Sequence, residues 1–124
     1  MKRGHLDAAN NAFNEFGANR FRYGLLKRVR QWGKFLGQQI EERDEMRSAI
    51  VEQHLVEGQE QIKPEDPSYN ECAQDLTELF NEAVEGAPMP IRTTDFPDSM
   101  ELSGTAFAIL VELGVFEETD ADSE

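Results

Sequence analysis

The sequence predicts an all-α protein, because apolar residues recur with helical spacing along most of the chain. The strongest signal is the stretch 20–57, which contains no proline and repeats apolar residues every three or four positions. Charged residues make up 30% of the chain and hydrophobic residues 39%, on the polar side of globular proteins. We expect a long bent central helix, an antiparallel partner helix, two short terminal helices and at most one short extended segment.

The first short helix is predicted over residues 5–16. Leu6, Ala9, Phe13 and Phe16 follow one another at spacings of three or four positions, which places them on one helix face. Gly17 comes directly afterwards, as is typical of a residue that ends a helix. This helix therefore presents one apolar side to the rest of the chain.

The central helix is predicted over 20–57, and its first half contains Gly24, Gly33 and Gly37. Each glycine costs about 1 kcal/mol relative to alanine inside a helix. Gly33 and Gly37 lie four positions apart, so they either admit a neighbouring helix or mark a kink. Beyond Ile40 the apolar stripe narrows, as in a helix that contacts a single neighbour or in a protruding arm.

The partner helix begins after the polar loop 59–66. Asp66 is a candidate cap, Pro67 fits the first turn, and Ser68 with Glu71 has capping-box spacing. Gly86 is the predicted stop, and the short connection predicts a helical hairpin with the central helix.

The segment 87–98 contains three of the five prolines and is predicted to be loop, with an extended piece only near 91–94. Ser99 or Ser103 caps the last helix, and Gly114 occupies its expected left-handed end. We therefore expect one helical domain over 1–116, followed by an acidic flexible tail over 117–124.

Targeting signals are not evident in the sequence. It has no run of about 18 apolar residues and no apolar core behind its basic start, which argues against a membrane span and a signal peptide. One cysteine, Cys72, favours a reducing compartment, so we expect a cytoplasmic protein.

Charge is separated along the chain. Residues 1–47 carry ten basic and six acidic residues, a net charge of +4, whereas residues 48–124 carry two and nineteen, a net charge of −17. Between Phe16 and Ile40 there is no acidic residue. Such asymmetry indicates either internal neutralisation or two different partners.

Six cations lie in that acid-free segment and form the predicted partner-binding site. They are interleaved with Phe21, Tyr23 and Trp32, a pattern that suits an acidic protein, nucleic acid or a membrane surface. The competing prediction is internal: the cations face acidic residues of the third helix, which the charge balance favours. The six residues, here called the basic block, are Arg20, Arg22, Lys27, Arg28, Arg30 and Lys34.

No catalytic or metal-binding pattern accompanies the basic block. His5 and His54 are far apart and one cysteine is too few for a zinc site, so we predict solvent or interface histidines and a buried thiol. The charges over 41–47 match a solvated helix face rather than an acid–base pair. We therefore expect no cofactor, no metal and no enzymatic activity.

Several short segments resemble a family of small uncharacterised phage proteins. They are Arg-Tyr-Gly-Leu-Leu-Lys-Arg-Val at 22–29, Glu-Glu-Arg-Asp at 41–44, Tyr69 with Leu-Thr-Glu-Leu at 76–79, Pro-Ile at 90–91, Asp95 and Leu-Gly at 113–114. The resemblance implies a phage or prophage origin, hence the host cytoplasm, and supplies no catalytic residues.

The function expected from these observations is a non-enzymatic protein-binding module, a phage accessory protein that contacts a host factor or a virion protein. Two alternatives stay open. One is an acidic mimic of nucleic acid that inhibits a host enzyme, and the other is a nucleic-acid binder that uses the basic block. The sequence also leaves a homo-oligomer open.

Overall fold

The computed structural model describes residues 1–55 and 58–118, and this part of the chain is predominantly helical. A short 3₁₀ turn, Arg3–His5, precedes the first helix, and another, Thr93–Asp95, follows the first strand. The main elements are α1 (Leu6–Gly17), α2 (Tyr23–His54), α3 (Tyr69–Asn81), β1 (Ile91–Arg92), α4 (Gly104–Glu112) and β2 (Phe116–Glu117). The all-α prediction is therefore confirmed.

Helix α2 runs without interruption through its three glycines. The buried side of its first half is formed by Leu25, Val29, Trp32 and Leu36, which belong to the same apolar core as buried residues of α1 and of both strands. A Cβ added to Gly33 would lie 3.7 Å from Cε2 of Phe13 in α1, an ordinary contact. The glycine thus faces α1 but is not required for the approach of the two helices. The helix ends at His54, with Leu55 in extended conformation, so the predicted end at 57 is wrong. Residues 56 and 57 themselves lie outside the described part.

Helix α3 folds back antiparallel on the second half of α2, as predicted. Its start is joined to the end of α2 by a hydrogen bond from the Ser68 hydroxyl to the carbonyl of His54. Because that hydroxyl is engaged there, Ser68 makes no side-chain cap on α3, and the predicted capping box is wrong. Asp66 accepts instead from the backbone N–H of Lys63, within the preceding loop.

The strands form a two-stranded parallel sheet in which Ile91 is opposite Phe116 and Arg92 is opposite Glu117. The sequence predicted an extended piece near 91–94 but no partner for it, because each strand has only two residues and their pairing depends on the tertiary fold. Glu117, which the sequence placed in the tail, belongs to β2. Residues 119–124 lie outside the described part.

Both ends of helix α4 have the geometry that the sequence predicts. Ser103 caps its start, accepting from the backbone N–H of Ala106 at 3.2 Å. Gly114 has a φ of +84°, and the N–H of Val115 donates to the carbonyl of Leu110. This is the Schellman arrangement, which turns the chain back so that Val115 and Phe116 are buried.

The core is centred on Phe16 of α1. Its ring contacts Phe21, Phe96 and Phe116, with centroid distances of 4.9, 5.3 and 4.8 Å. Aromatic pairs at such distances prefer tilted or edge-to-face geometry, and these follow that preference. The core therefore lies between α1, α4, the sheet and the first half of α2, and it leaves the opposite side of α2 uncovered.

Candidate functional site

The basic block lies at the start of α2 and in the segment that leads into it. Arg20 and Arg22 precede the helix, and Arg22 is its N-terminal cap residue in extended conformation. The other four lie on the helix between Lys27 and Lys34. All six side chains are exposed, so none is buried under the core.

Three of the block residues form a row on the solvent side of α2. Lys27, Arg30 and Lys34 are three and four positions apart, which places them within about 60° of one another around the helix axis. That side is opposite the buried Leu25 and Trp32. We call these three residues the cationic row.

An aromatic residue extends the cationic row at its N-terminal end. Tyr23 is 76% exposed, and Nζ of Lys27 lies 5.7 Å from the centre of its ring. Leu26 beside it is also exposed. Large rings and aliphatic groups next to cations are typical of protein interfaces, where the ring supplies contact area and the cations supply orientation.

Arg28 points to a different neighbour. Its guanidinium lies 3.6 Å from a carboxylate oxygen of Asp95, and both side chains are about half exposed. Among the described residues this is the ion pair that the basic block makes. A pair of this kind contributes about 0–1 kcal/mol, so it leaves most of the block's charge available.

A groove of about 690 Å³ lies beside this pair, between the first turn of α2 and the segment 94–98. Its charged lining consists of Arg22 and Arg28 on one side and Asp95 and Asp98 on the other. Two positive and two negative charges balance one another, so the groove does not select for an anion. The unbalanced charge lies on the cationic row.

The acidic residues of α3 do not meet the basic block. Asp75 binds His54, with 2.7 Å between its carboxylate oxygen and Nε2. Glu82, directly after the end of α3, lies 3.5 Å from the guanidinium of Arg3. The predicted internal pairing is therefore wrong. The reason is length: α3 has 13 residues and spans about 20 Å, whereas α2 has 32 and spans about 48 Å. An antiparallel α3 that starts at the end of α2 stops before Lys34.

His54 is held at the seam between α2 and α3. Its ring nitrogen Nε2 contacts Asp75, while the Ser68 hydroxyl donates to the His54 carbonyl and not to its ring. The three side chains therefore do not form a relay that activates the serine. Cys72 is buried, as predicted. In the described residues no cluster of three or more histidine, cysteine or acidic side chains is placed to hold a metal.

The predicted solvated helix face over 41–47 is wrong for Arg43, which is buried. Its side chain is 6% exposed and its guanidinium donates to Asp7 of α1 at 3.1 Å and to Asp44 at 3.0 Å. Burial lowers the pKa of Arg43, but the hydrogen bonds to the two carboxylates outweigh it and raise the pKa above its usual value. The signal was present in the sequence, because Arg43 continues the apolar stripe of Leu36 and Ile40.

Arg3 is a second cation, largely but not fully buried, that the sequence did not indicate. Its Nε and Nη1 atoms are buried and have no partner in the described part of the chain, while Nη2 faces Glu82. A smaller groove of about 450 Å³ lies beside Arg3 and Glu82, and its other polar lining residues are Gln39, Glu42 and Glu85. The surrounding carboxylates disfavour an anion there, so Arg3 serves to hold the N-terminus against α3.

Comparison with known protein families, with curated proteins and with solved structures gives no match for this chain. None of the helices in the described residues combines the length and the apolar character needed to cross a membrane.

Proposed function

We propose that the chain is a non-enzymatic protein-binding module that docks an acidic surface of a partner on the first half of α2. The observation that supports this proposal is the exposure of all six cations of the basic block. Cations that the fold leaves largely unneutralised attract an acidic partner and accelerate its association. Tyr23, at the end of the cationic row, adds a ring that a partner can cover.

A protein partner is favoured over nucleic acid by the charge of the whole chain. The net charge is −13, so a long polyanion is repelled by the rest of the molecule even where it touches the basic block. The cationic row spans about 10 Å along the helix, from Lys27 to Lys34. That length suits a short acidic segment. At physiological salt, charges more than about 8 Å apart are largely screened, so the cationic row attracts only acidic groups close to it.

The acidic-mimic alternative has less support from the contacts of α3. Its acidic residues at 71, 75 and 78 line one helix face, and Glu82 follows the helix directly. Asp75 is engaged internally by His54, and Glu82 by Arg3. The resemblance to phage proteins adds the proposal that the partner is a host factor or a virion protein. That part of the proposal rests on the resemblance alone.

Titration with defined anionic probes tests the proposed function. A fluorescein-labelled oligo-glutamate peptide is titrated by fluorescence anisotropy against the native chain and against Lys27→Glu/Lys34→Glu, here called the row variant. The matched control is Arg47→Glu/Lys63→Glu, which makes the same charge change at exposed positions off the row. We expect binding by the native chain and the control, and a loss of about tenfold or more in the row variant.

Labelled single-stranded DNA is titrated in parallel. Tighter binding of DNA than of oligo-glutamate, lost in the row variant, would show that the basic block serves nucleic acid. Equal binding of oligo-glutamate by the row variant and the native chain would remove the proposed docking surface.

A further inference from the structure

The solvent side of α2 carries both signs of charge in two separate halves. C-terminal to the cationic row, the same side of the helix carries Glu41, Glu45 and Glu52, within the same arc of about 60°. All three are exposed. We call these six residues, three basic and three acidic, the two-signed stripe.

The two-signed stripe is unfavourable for an isolated helix. Like charges three or four positions apart, such as Lys27 with Arg30 and Glu41 with Glu45, destabilise a helix by about 0.2–0.5 kcal/mol per pair. The first turn of α2 has no acidic residue, and Glu52 lies in the last turn, which opposes the helix dipole. An ordinary solvated face alternates positive and negative residues. In the two-signed stripe the members have no oppositely charged stripe residue one turn away, so attractive ion pairs must come from groups outside the helix.

The stripe is complementary to itself when reversed. Lys27 and Glu52 lie equally far from a midpoint between residues 39 and 40, and so do Lys34 and Glu45. We infer that a second copy of this chain docks antiparallel along the two-signed stripe, with a two-fold axis at that midpoint. This inference rests on the proposed function, because the cationic row supplies half of the contact.

The geometry at the two-fold axis permits such a contact. Gly37 is exposed near the midpoint, and a Cβ built there meets no atom within 4 Å, so nothing projects from this position. Each ion pair occurs twice in an arrangement with two-fold symmetry, and antiparallel helices also align their dipoles favourably. Lys27 of each copy meets Glu52 of the other, and Lys34 meets Glu45.

The expected dimer is weak and sensitive to salt. The stripe from Lys27 to Glu52 is about 37 Å long, and a contact about 10 Å wide buries about 400 Å² on each copy. The total of about 800 Å² lies below the range of stable interfaces. The net charge of −13 on each copy also opposes association. We therefore expect dimers at sub-millimolar concentration in about 0.1 M salt and monomers in about 1 M salt.

Charge exchange between copies tests the inference by sedimentation velocity. The row variant carries acidic residues at 27 and 34, and Glu45→Lys/Glu52→Lys carries basic residues at 45 and 52. Each alone should associate about tenfold or more weakly than the native chain, because like charges then face one another. Their mixture should form a one-to-one complex, since every exchanged charge meets its opposite.

Matched off-stripe variants control for general attraction. Arg47→Glu/Lys63→Glu mixed with Glu71→Lys/Glu78→Lys repeats the charge differences at other exposed positions. Complex formation by this control mixture to the same extent, or its absence from the stripe mixture, would overturn the inference. Circular dichroism at 222 nm verifies that every variant is folded.

Cross-linking tests the antiparallel register. With Cys72→Ala as background, a cysteine introduced by Gln38→Cys lies about 4.5 Å along the axis from its counterpart, and one from Lys27→Cys lies about 37 Å away. A short bis-maleimide should therefore link the first variant and not the second. Linking of both would indicate parallel helices and would refute the arrangement.

The outcomes for the inference and for the proposed function are separable. The native chain can bind oligo-glutamate, lose that binding in the row variant and still stay monomeric. That combination supports the proposed function and excludes a second copy as the partner. Self-association that follows the charge exchange, without oligo-glutamate binding, retains the stripe contact and limits the docking surface of α2 to a second copy of the chain, which removes a different acidic protein as partner.

Discussion

Replacing Arg43 by methionine and by alanine separates the two contributions that this side chain makes to the packing of α2 against α1. The guanidinium binds Asp7 and Asp44, and the aliphatic stem is buried. Alanine removes both contributions. Methionine keeps an apolar side chain of similar length and removes only the charge.

The expected magnitudes follow from burial. Alanine loses two buried methylenes, about 1.6 kcal/mol. The carboxylates of Asp7 and Asp44 are 70% and 51% exposed, so each ion pair contributes about 0.5 kcal/mol after screening. Arg43→Ala should therefore destabilise the fold by about 2.5 kcal/mol. Arg43→Met should lie within about 1 kcal/mol of the native chain, because it keeps an apolar side chain in the buried position and loses only the two ion pairs.

The assay is thermal unfolding followed by circular dichroism at 222 nm, with urea unfolding as a second measure. For 124 residues the unfolding entropy converts 1 kcal/mol into about 4 °C, so alanine should lower Tm by about 10 °C and methionine by less than about 4 °C. Arg47→Ala, at an exposed position one turn away, is the matched control and should leave Tm unchanged. Equal losses for methionine and alanine would refute the reasoning, since the charge pairs would then dominate.

Three further predictions concern the helices. Gly37→Ala should raise the free energy of unfolding by about 0.5–1 kcal/mol, because a Cβ there meets nothing, whereas Gly114→Ala should lower it by about 1 kcal/mol or more, since its φ is +84°; urea unfolding compares the two. Ser103→Ala should cost about 1 kcal/mol through loss of the α4 cap, and Ser103→Asn should restore most of it. Arg30→Glu should raise Tm by about 2 °C, because it replaces repulsion with an attractive pair to Lys34, and it should weaken oligo-glutamate binding.

Local chemistry was predictable from the sequence wherever neighbours along the chain determine it. The end of α4 is such a case, because a glycine at 114 and apolar residues at 115 and 116 satisfy the Schellman geometry without help from elsewhere. Ser68 shows the opposite case. Its hydroxyl is compatible with a local cap, but the antiparallel return of α3 places the carbonyl of His54 within reach and the longer-range hydrogen bond forms instead.

The strand pairing and the surroundings of the basic block were not predictable for a common reason. Both depend on how far one helix or strand extends along its neighbour in the tertiary structure, and composition and periodicity do not predict this distance. Ile91 finds Phe116 only because α4 and its left-handed end return the chain to β1. The basic block stays exposed because α3 is too short to reach it, although charge balance along the sequence favoured internal pairing.

The same difference in length leaves α2 with an exposed, charged face. A 32-residue helix whose second half is covered on one side by a 13-residue neighbour keeps a continuous solvent face along its full length. Packing at Trp32, Leu36 and Arg43 stabilises the helix from the opposite side, so the solvent face is free to carry charges that would weaken an isolated helix. Those charges are separated by sign along the axis. A surface of that kind discriminates between the two orientations of a docking partner, because reversing the partner turns every attractive pair into a repulsive one.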